Sequence, residues 1–166
     1  MEGCIYLGQK KENLNGAQTD TSGVHVWLVL WKAYSALAYY AEQSIRALGI
    51  IQSDFRVLEA LLHKGPLPVN TLAPLVQLTS GSISVAVDRL EAKELVKRQP
   101  DKEDRRKIIV LLTPKGRALI AKAFAVHAEA MEKATEGLSK PERAEIIFLL
   151  KKLGKHARDY AARSDS

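Results

Sequence analysis

At 166 residues, with 46% hydrophobic and 27% charged side chains, the chain has an ordinary globular composition and is long enough to bury one or two cores. A formal charge of +6 favours acidic partners such as nucleic acid or anionic lipid. The one cysteine, Cys4, excludes an intramolecular disulfide framework and fits a cytoplasmic protein, and no apolar run of about 18 residues suggests a membrane span or a secretory leader.

Residues 1–22 mix Gly, Asn, Gln, Lys and Thr without period, which reads as a flexible arm. From Val24 the apolar positions Trp27, Leu28, Trp31, Tyr34, Leu37, Ala38 and Ala41 recur at helical spacing, predicting a long amphipathic helix stopped at Gly49. "SDFRVLEALLHKG" predicts a second helix, with Ser53 as N-cap, Phe55, Val57, Leu58, Leu61 and Leu62 as its apolar face, and Gly65 as its end.

Two short helices follow. Asn70 caps the first, whose Leu72, Ala73 and Leu75 are expected to face inward, and its Pro74 is tolerable only in a first turn. Thr79-Ser80-Gly81-Ser82 turns the chain and opens the next, with Ile83, Val87 and Leu90 as the buried stripe.

Near Leu95 the pattern changes to two short strand-like runs, "LVKRQ" and "KIIVLLT", around a charged connection containing Pro100 and Asp101. This predicts a two-stranded hairpin. Two long helices close the chain, the first with Thr113 as cap and Pro114 at its first position. Its apolar positions are Leu119, Ile120, Ala123, Phe124 and His127. The second has Ser139 as cap, with Ile146, Ile147, Leu149, Leu150 and Leu153 expected inward.

The predicted fold is therefore mostly α with a small β-hairpin (α+β), a winged helix-turn-helix domain over 50–113. Residues 23–49 and 114–163 form a helical dimerisation region, because two apolar terminal helices exceed what a winged domain can cover. In such a domain the second helix of the motif enters the major groove and the hairpin is the wing. Ser80, Gly81, Ser82 and Ser84 open that helix with hydroxyls and a close-approaching backbone. Val85 and Ala86 are placed to touch a thymine methyl, and Arg89 to reach a phosphate. The plainer alternative is a capping turn, with Arg89 paired along its own helix near Asp88 or Glu91.

"DKEDRRKIIVLLTPKGRALI" resembles the Asp-x-Arg wing and the following Leu-Thr-x-x-Gly of the MarR family of bacterial regulators, and the preceding helices are similar to that family's over most of 24–160. The resemblance implies a homodimer on a pseudo-palindromic double-stranded DNA operator, most often a repressor. It implies that Arg106 enters the minor groove and that Asp104 holds the wing's shape, with Lys102, Arg105 and Lys107 on phosphates. An arginine suits a narrow minor groove better than lysine does. It also implies an aromatic or phenolic effector, for which His25, Trp31, Tyr34 and Phe55 are the candidates, although aromatic residues at this spacing equally suit a core.

His25, His63, His127 and His156 lie on separate segments without metal-ligand spacing, and Cys4 has no pKa-lowering surroundings, so no metal site or thiol sensor is expected. There is no phosphate-cradling glycine loop, nucleophile elbow or pair of catalytic carboxylates at recognisable spacing. Neither catalytic residues nor a cofactor are assigned. The competing class is a winged-helix module that binds protein rather than specific DNA.

Overall fold

The computed structural model describes residues 19–101, 103, 104 and 106–164. The arm through residue 18, with Cys4, and the wing residues Lys102 and Arg105 lie outside the described residues. In chain order the elements are α1 (Gly23–Arg46), α2 (Gln52–Lys64), β1 (Leu67–Pro68), α3 (Val69–Leu75), α4 (Ser80–Ala92), β2 (Val96–Pro100), β3 (Ile108–Leu112), α5 (Pro114–Ala134) and α6 (Lys140–Ser164). The chain divides into two compact units, one up to Ala36 and one from Leu37.

In the first unit, α1 carries Val24, Trp27, Trp31 and Tyr34 exposed. The second unit holds the core. Phe55, Val57, Leu58 and Leu61 of α2 meet Leu72 of α3, Ile83, Val87 and Leu90 of α4, Val96 and Val110 of the sheet and Ile120 of α5, all buried. Burying side chains of this size contributes about 1.5–3 kcal/mol each before the entropy of ordering is subtracted.

The sheet has one strand more than the hairpin read from sequence. β1 pairs with the free edge of β3 (Leu67 opposite Val110, Pro68 opposite Ile109), giving the antiparallel order β1-β3-β2. β2 pairs with β3 from Val96–Leu112 to Pro100–Ile108. The unbroken apolar run Ile108–Leu112 suits a central strand covered on both sides, whereas two residues ending in proline carry no strand period.

Three helix starts follow the expected chemistry. The Thr79 hydroxyl accepts from the Ser82 N–H at 3.1 Å. That of Thr113 accepts from the Gly116 N–H at 3.0 Å, with Pro114 following in the first turn. The Ser139 N–H donates to the Glu142 carboxylate at 2.8 Å, the return half of a capping box.

Others differ. Ser53 is not a cap: α2 begins one residue earlier, after Ile51 and without a side-chain cap, and Ser53 turns its hydroxyl to Arg89 at 3.2 Å. Asn70 does not cap α3 either, because Pro68 occupies that position as the chain leaves β1. Leu75 is exposed, since Leu72, Ala73 and Val76 form the inner face and Leu75 projects from the other. Pro74 sits late in α3, where it forfeits one backbone bond just before the helix ends. Finally, Ile146, Ile147, Leu149, Leu150 and Leu153 are exposed, and α6 buries no residue within this single chain.

Candidate nucleic-acid interface

α4 and the wing face a common cleft of about 860 Å³, whose walls include Asn70 of α3, Ser80 and Ser84 of α4, Arg98 of β2, and Arg106 and Lys107 beyond the wing tip. Of the residues expected to read DNA, Ser80 and Ser84 on the helix and Arg106 and Lys107 on the wing therefore line one cleft. Ser80, Gly81, Ser82, Ser84 and Val85 are all exposed on the first turns of α4. Ser82 is partly committed to the cap, receiving the Thr79 hydroxyl at 2.9 Å, and Ser84 donates to the Ser80 carbonyl at 3.0 Å. Ala86, expected at a thymine methyl, is instead in the core at 1% exposure, leaving Val85 as the apolar contact on that face.

The wing is built by two aspartates in series. One Asp101 carboxylate oxygen accepts from the backbone N–H of Glu103 and of Asp104, each at 2.9 Å, while its own N–H donates to the Lys107 carbonyl. Asp104 then accepts from the Arg106 N–H and Nε, both at 3.1 Å. The Asp104 carboxyl is held below its ordinary pKa by the Arg106 side chain first and the Arg106 N–H second. Asp101 is lowered by the N–H groups of Asp104 and Glu103. Arg106 is left 91% exposed, oriented by Asp104 but open to solvent on its remaining donors. Lys107 lies 3.8 Å from Asp104 and is also half-exposed.

Arg89, expected at a phosphate, is paired within the chain through Nε and Nη2. Its Nε lies 3.0 Å from both oxygens of Asp54, and that carboxylate raises the guanidinium's pKa. The partner is on α2, not on Arg89's own helix. Arg98, unassigned from sequence, reaches Asp88 and Glu91 of α4 at 2.6 Å each, and its backbone N–H donates to Glu91 at 3.0 Å. The available signal was the Asp88/Glu91 pair at i,i+3, which places two carboxylates on one helix face.

The effector candidates fall in separate environments. Phe55 is a core residue of the second unit, edge-on to His127 at 5.0 Å, and the His127 ring meets the Ser44 hydroxyl at 2.7 Å. His25, 3.8 Å from Asp20, and the exposed Trp31 and Tyr34 belong to the first unit. No group of three or more potential metal ligands occurs among the described residues.

Comparison with known proteins agrees with this geometry. The family model described as "MarR family" matches residues 50–108, from α2 through the wing. The regulator MhqR of Bacillus subtilis is 33% identical over 135 residues, covering 81% of this chain and 93% of its own. The chain belongs to the MarR family. NicR, an HTH-type transcriptional repressor of Pseudomonas putida, is 33% identical over 75% of this chain and 79% of its own. The solved structure of Bordetella bronchiseptica BpsR, whose DNA binding is regulated by 6-hydroxynicotinic acid, superposes with a TM-score of 0.69 at 28% identity, covering 78% of this MarR-family chain and 98% of BpsR. The chain is thus a MarR-family transcriptional regulator with a DNA-binding winged helix.

Proposed function

We propose that the protein is a homodimeric, sequence-specific repressor that binds a pseudo-palindromic operator and is released by a small aromatic acid. The observation that carries the reading is Arg106, held by Asp104 yet 91% exposed on a wing folded by Asp101 and Asp104, on the same cleft as the exposed Ser80 and Ser84 of α4. A prefolded loop loses little entropy on docking, and an arginine so displayed suits a narrow minor groove while the helix reads the adjoining major groove. Lys107 supplies a phosphate contact, and Lys102 and Arg105 are proposed for the same role.

Dimerisation is supported by α6, a 25-residue helix that buries nothing in the single chain and displays Ile146, Ile147, Leu150 and Leu153. Such a face calls for a partner surface. Two-fold symmetry then sets two recognition helices roughly 34 Å apart, or a multiple of that, to match successive major grooves. The effector class follows BpsR and its 6-hydroxynicotinic acid, and NicR supports the repressor role. Trp31, Tyr34 and His25 are the aromatic surfaces proposed for the effector, while Phe55, at 1% exposure, packs the core. The proposed site of action is the cytoplasm, where an operator would lie; no described helix is long and apolar enough to cross a membrane.

Footprinting the DNA upstream of the protein's own gene, with and without hydroxylated aromatic acids, tests this. A protected two-fold-symmetric segment that opens when one of the acids is added is the expected result. Uniform protection of unrelated DNA contradicts it.

A further inference from the structure

Among the described residues the core contains one buried charged side chain, Asp54, at 1% exposure. Its sequence neighbours on α2, Phe55, Val57 and Leu58, are buried hydrophobes. Its carboxylate receives the Arg89 Nε at 3.0 Å on both oxygens, the Arg89 Nη2 at 2.5 Å, and Lys93 Nζ at a looser 3.8 Å. Nη2 also donates to the Ser53 hydroxyl at 3.2 Å. The Ser53-Asp54 corner of α2 therefore grips the guanidinium of α4 through two of its nitrogens.

Stability alone gives little reason for this arrangement, because taking the Asp54 carboxylate out of water costs several kcal/mol that a one-third-exposed guanidinium must offset, and an apolar pair of similar volume commonly serves as well. What a guanidinium–carboxylate fork adds is direction. The buried face of α4 is Ile83, Ala86, Val87 and Leu90, aliphatic side chains whose packing does not by itself define one rotation of the helix. Asp88, adjacent to Arg89 and about 100° around the helix from it, is held from another side by Arg98 of β2. Ser84, on the reading face, lies five residues before Arg89, or about 7.5 Å along the axis, so rotation at the clamp is felt where bases would be read.

We propose that Asp54 is a positioning residue for DNA reading: through Arg89 it fixes the rotation of α4, and so the discrimination between sequences, without touching DNA. This rests on the sequence-specific binding proposed above. It makes an opposite prediction to the view that Arg89 serves phosphate. On that view Asp54→Asn, by removing a negative charge and freeing a guanidinium, tightens binding to every duplex. The clamp predicts weaker binding to the operator alone.

The experiment uses the full chain as wild type, Asp54→Asn, and the apolar exchange Asp54→Leu with Arg89→Met. Each is titrated at one salt concentration with the duplex that wild type protects and with an unrelated duplex of equal length, and amide hydrogen exchange over 80–92 is recorded without DNA. Asp54→Asn is expected to lose about tenfold on the protected duplex while staying within about twofold on the unrelated one, with faster exchange in α4 than in α5. The apolar exchange is expected to melt near wild type yet show the same loss of discrimination.

Asp54→Asn binding the protected duplex as tightly as wild type or more so, or losing equally on both duplexes, overturns the proposal. If Asp54→Asn does not fold, wild-type discrimination by the apolar exchange overturns it. A wild-type protein that distinguishes no duplex defeats the DNA-reading function instead, and unchanged α4 exchange in Asp54→Asn then defeats the clamp.

Discussion

A Cβ added to Gly116 would lie 1.9 Å from the carbonyl oxygen of Leu95. The same oxygen accepts the Thr113 N–H at 3.1 Å, and the Thr113 hydroxyl donates to the Glu94 carbonyl at 2.7 Å. The Thr-x-x-Gly step is therefore a joint that seats the start of α5 against the connection between α4 and β2. Because the obstructing atom is backbone, Gly116→Ala must shift the chain and is expected to cost on the order of 1–3 kcal/mol. Urea unfolding measures this, and a stability equal to wild type would show that the joint is looser than its geometry.

Arg106→Ala is expected to weaken operator binding by about 1–3 kcal/mol while leaving the oligomeric state unchanged. Arg106→Lys is expected to recover only part of that loss, because an ammonium lacks the planar fork that Asp104 orients. Fluorescence anisotropy with labelled operator gives both values. Wild-type affinity in Arg106→Ala would remove the wing from the reading mechanism.

The wing also carries a pH signature. Asp101 and Asp104 have folded-state pKa values below those of free aspartate, so their contribution to the turn is present above the free value of about 3.9 and is lost as pH falls through the lower folded values. The Arg106 amide resonance, followed by NMR, is expected to titrate with a midpoint below about 3.9. A midpoint at or above that value would mean that Asp104 does not hold the wing in solution.

Ile147→Asp combined with Leu150→Asp places two charges three residues apart on the exposed face of α6. Light scattering is expected to fall from twice the 18.3 kDa chain mass to the chain mass itself. A variant that remains at twice that mass would place the interface elsewhere.

Local chemistry made most of the fold legible: Thr79, Thr113 and Ser139 start helices where their positions suggest, and the apolar stripe of α4 is the one its spacing gives. The misreadings have long-range causes. The pairing of Arg89 is invisible to local spacing because its partner Asp54 is 35 positions away, and the same pairing draws Ser53 away from a capping role. β1 exists because β3 offers it an edge, not because Leu67-Pro68 has strand character. The α6 stripe, expected inward, is exposed because no described residue of the single chain covers it. In the candidate interface, Arg98 has only the weak signal of the Asp88/Glu91 pair, because those carboxylates lie on the preceding helix and no motif joins them to the strand.

The central claim is that α4 and the wing read a particular duplex, and its most direct measurement is the salt dependence of binding to the protected operator beside that to an unrelated duplex. At moderate salt the operator should bind at least about a thousandfold more tightly, with log K falling linearly against log salt for both. Equal affinity for the two duplexes across the salt range would contradict the account.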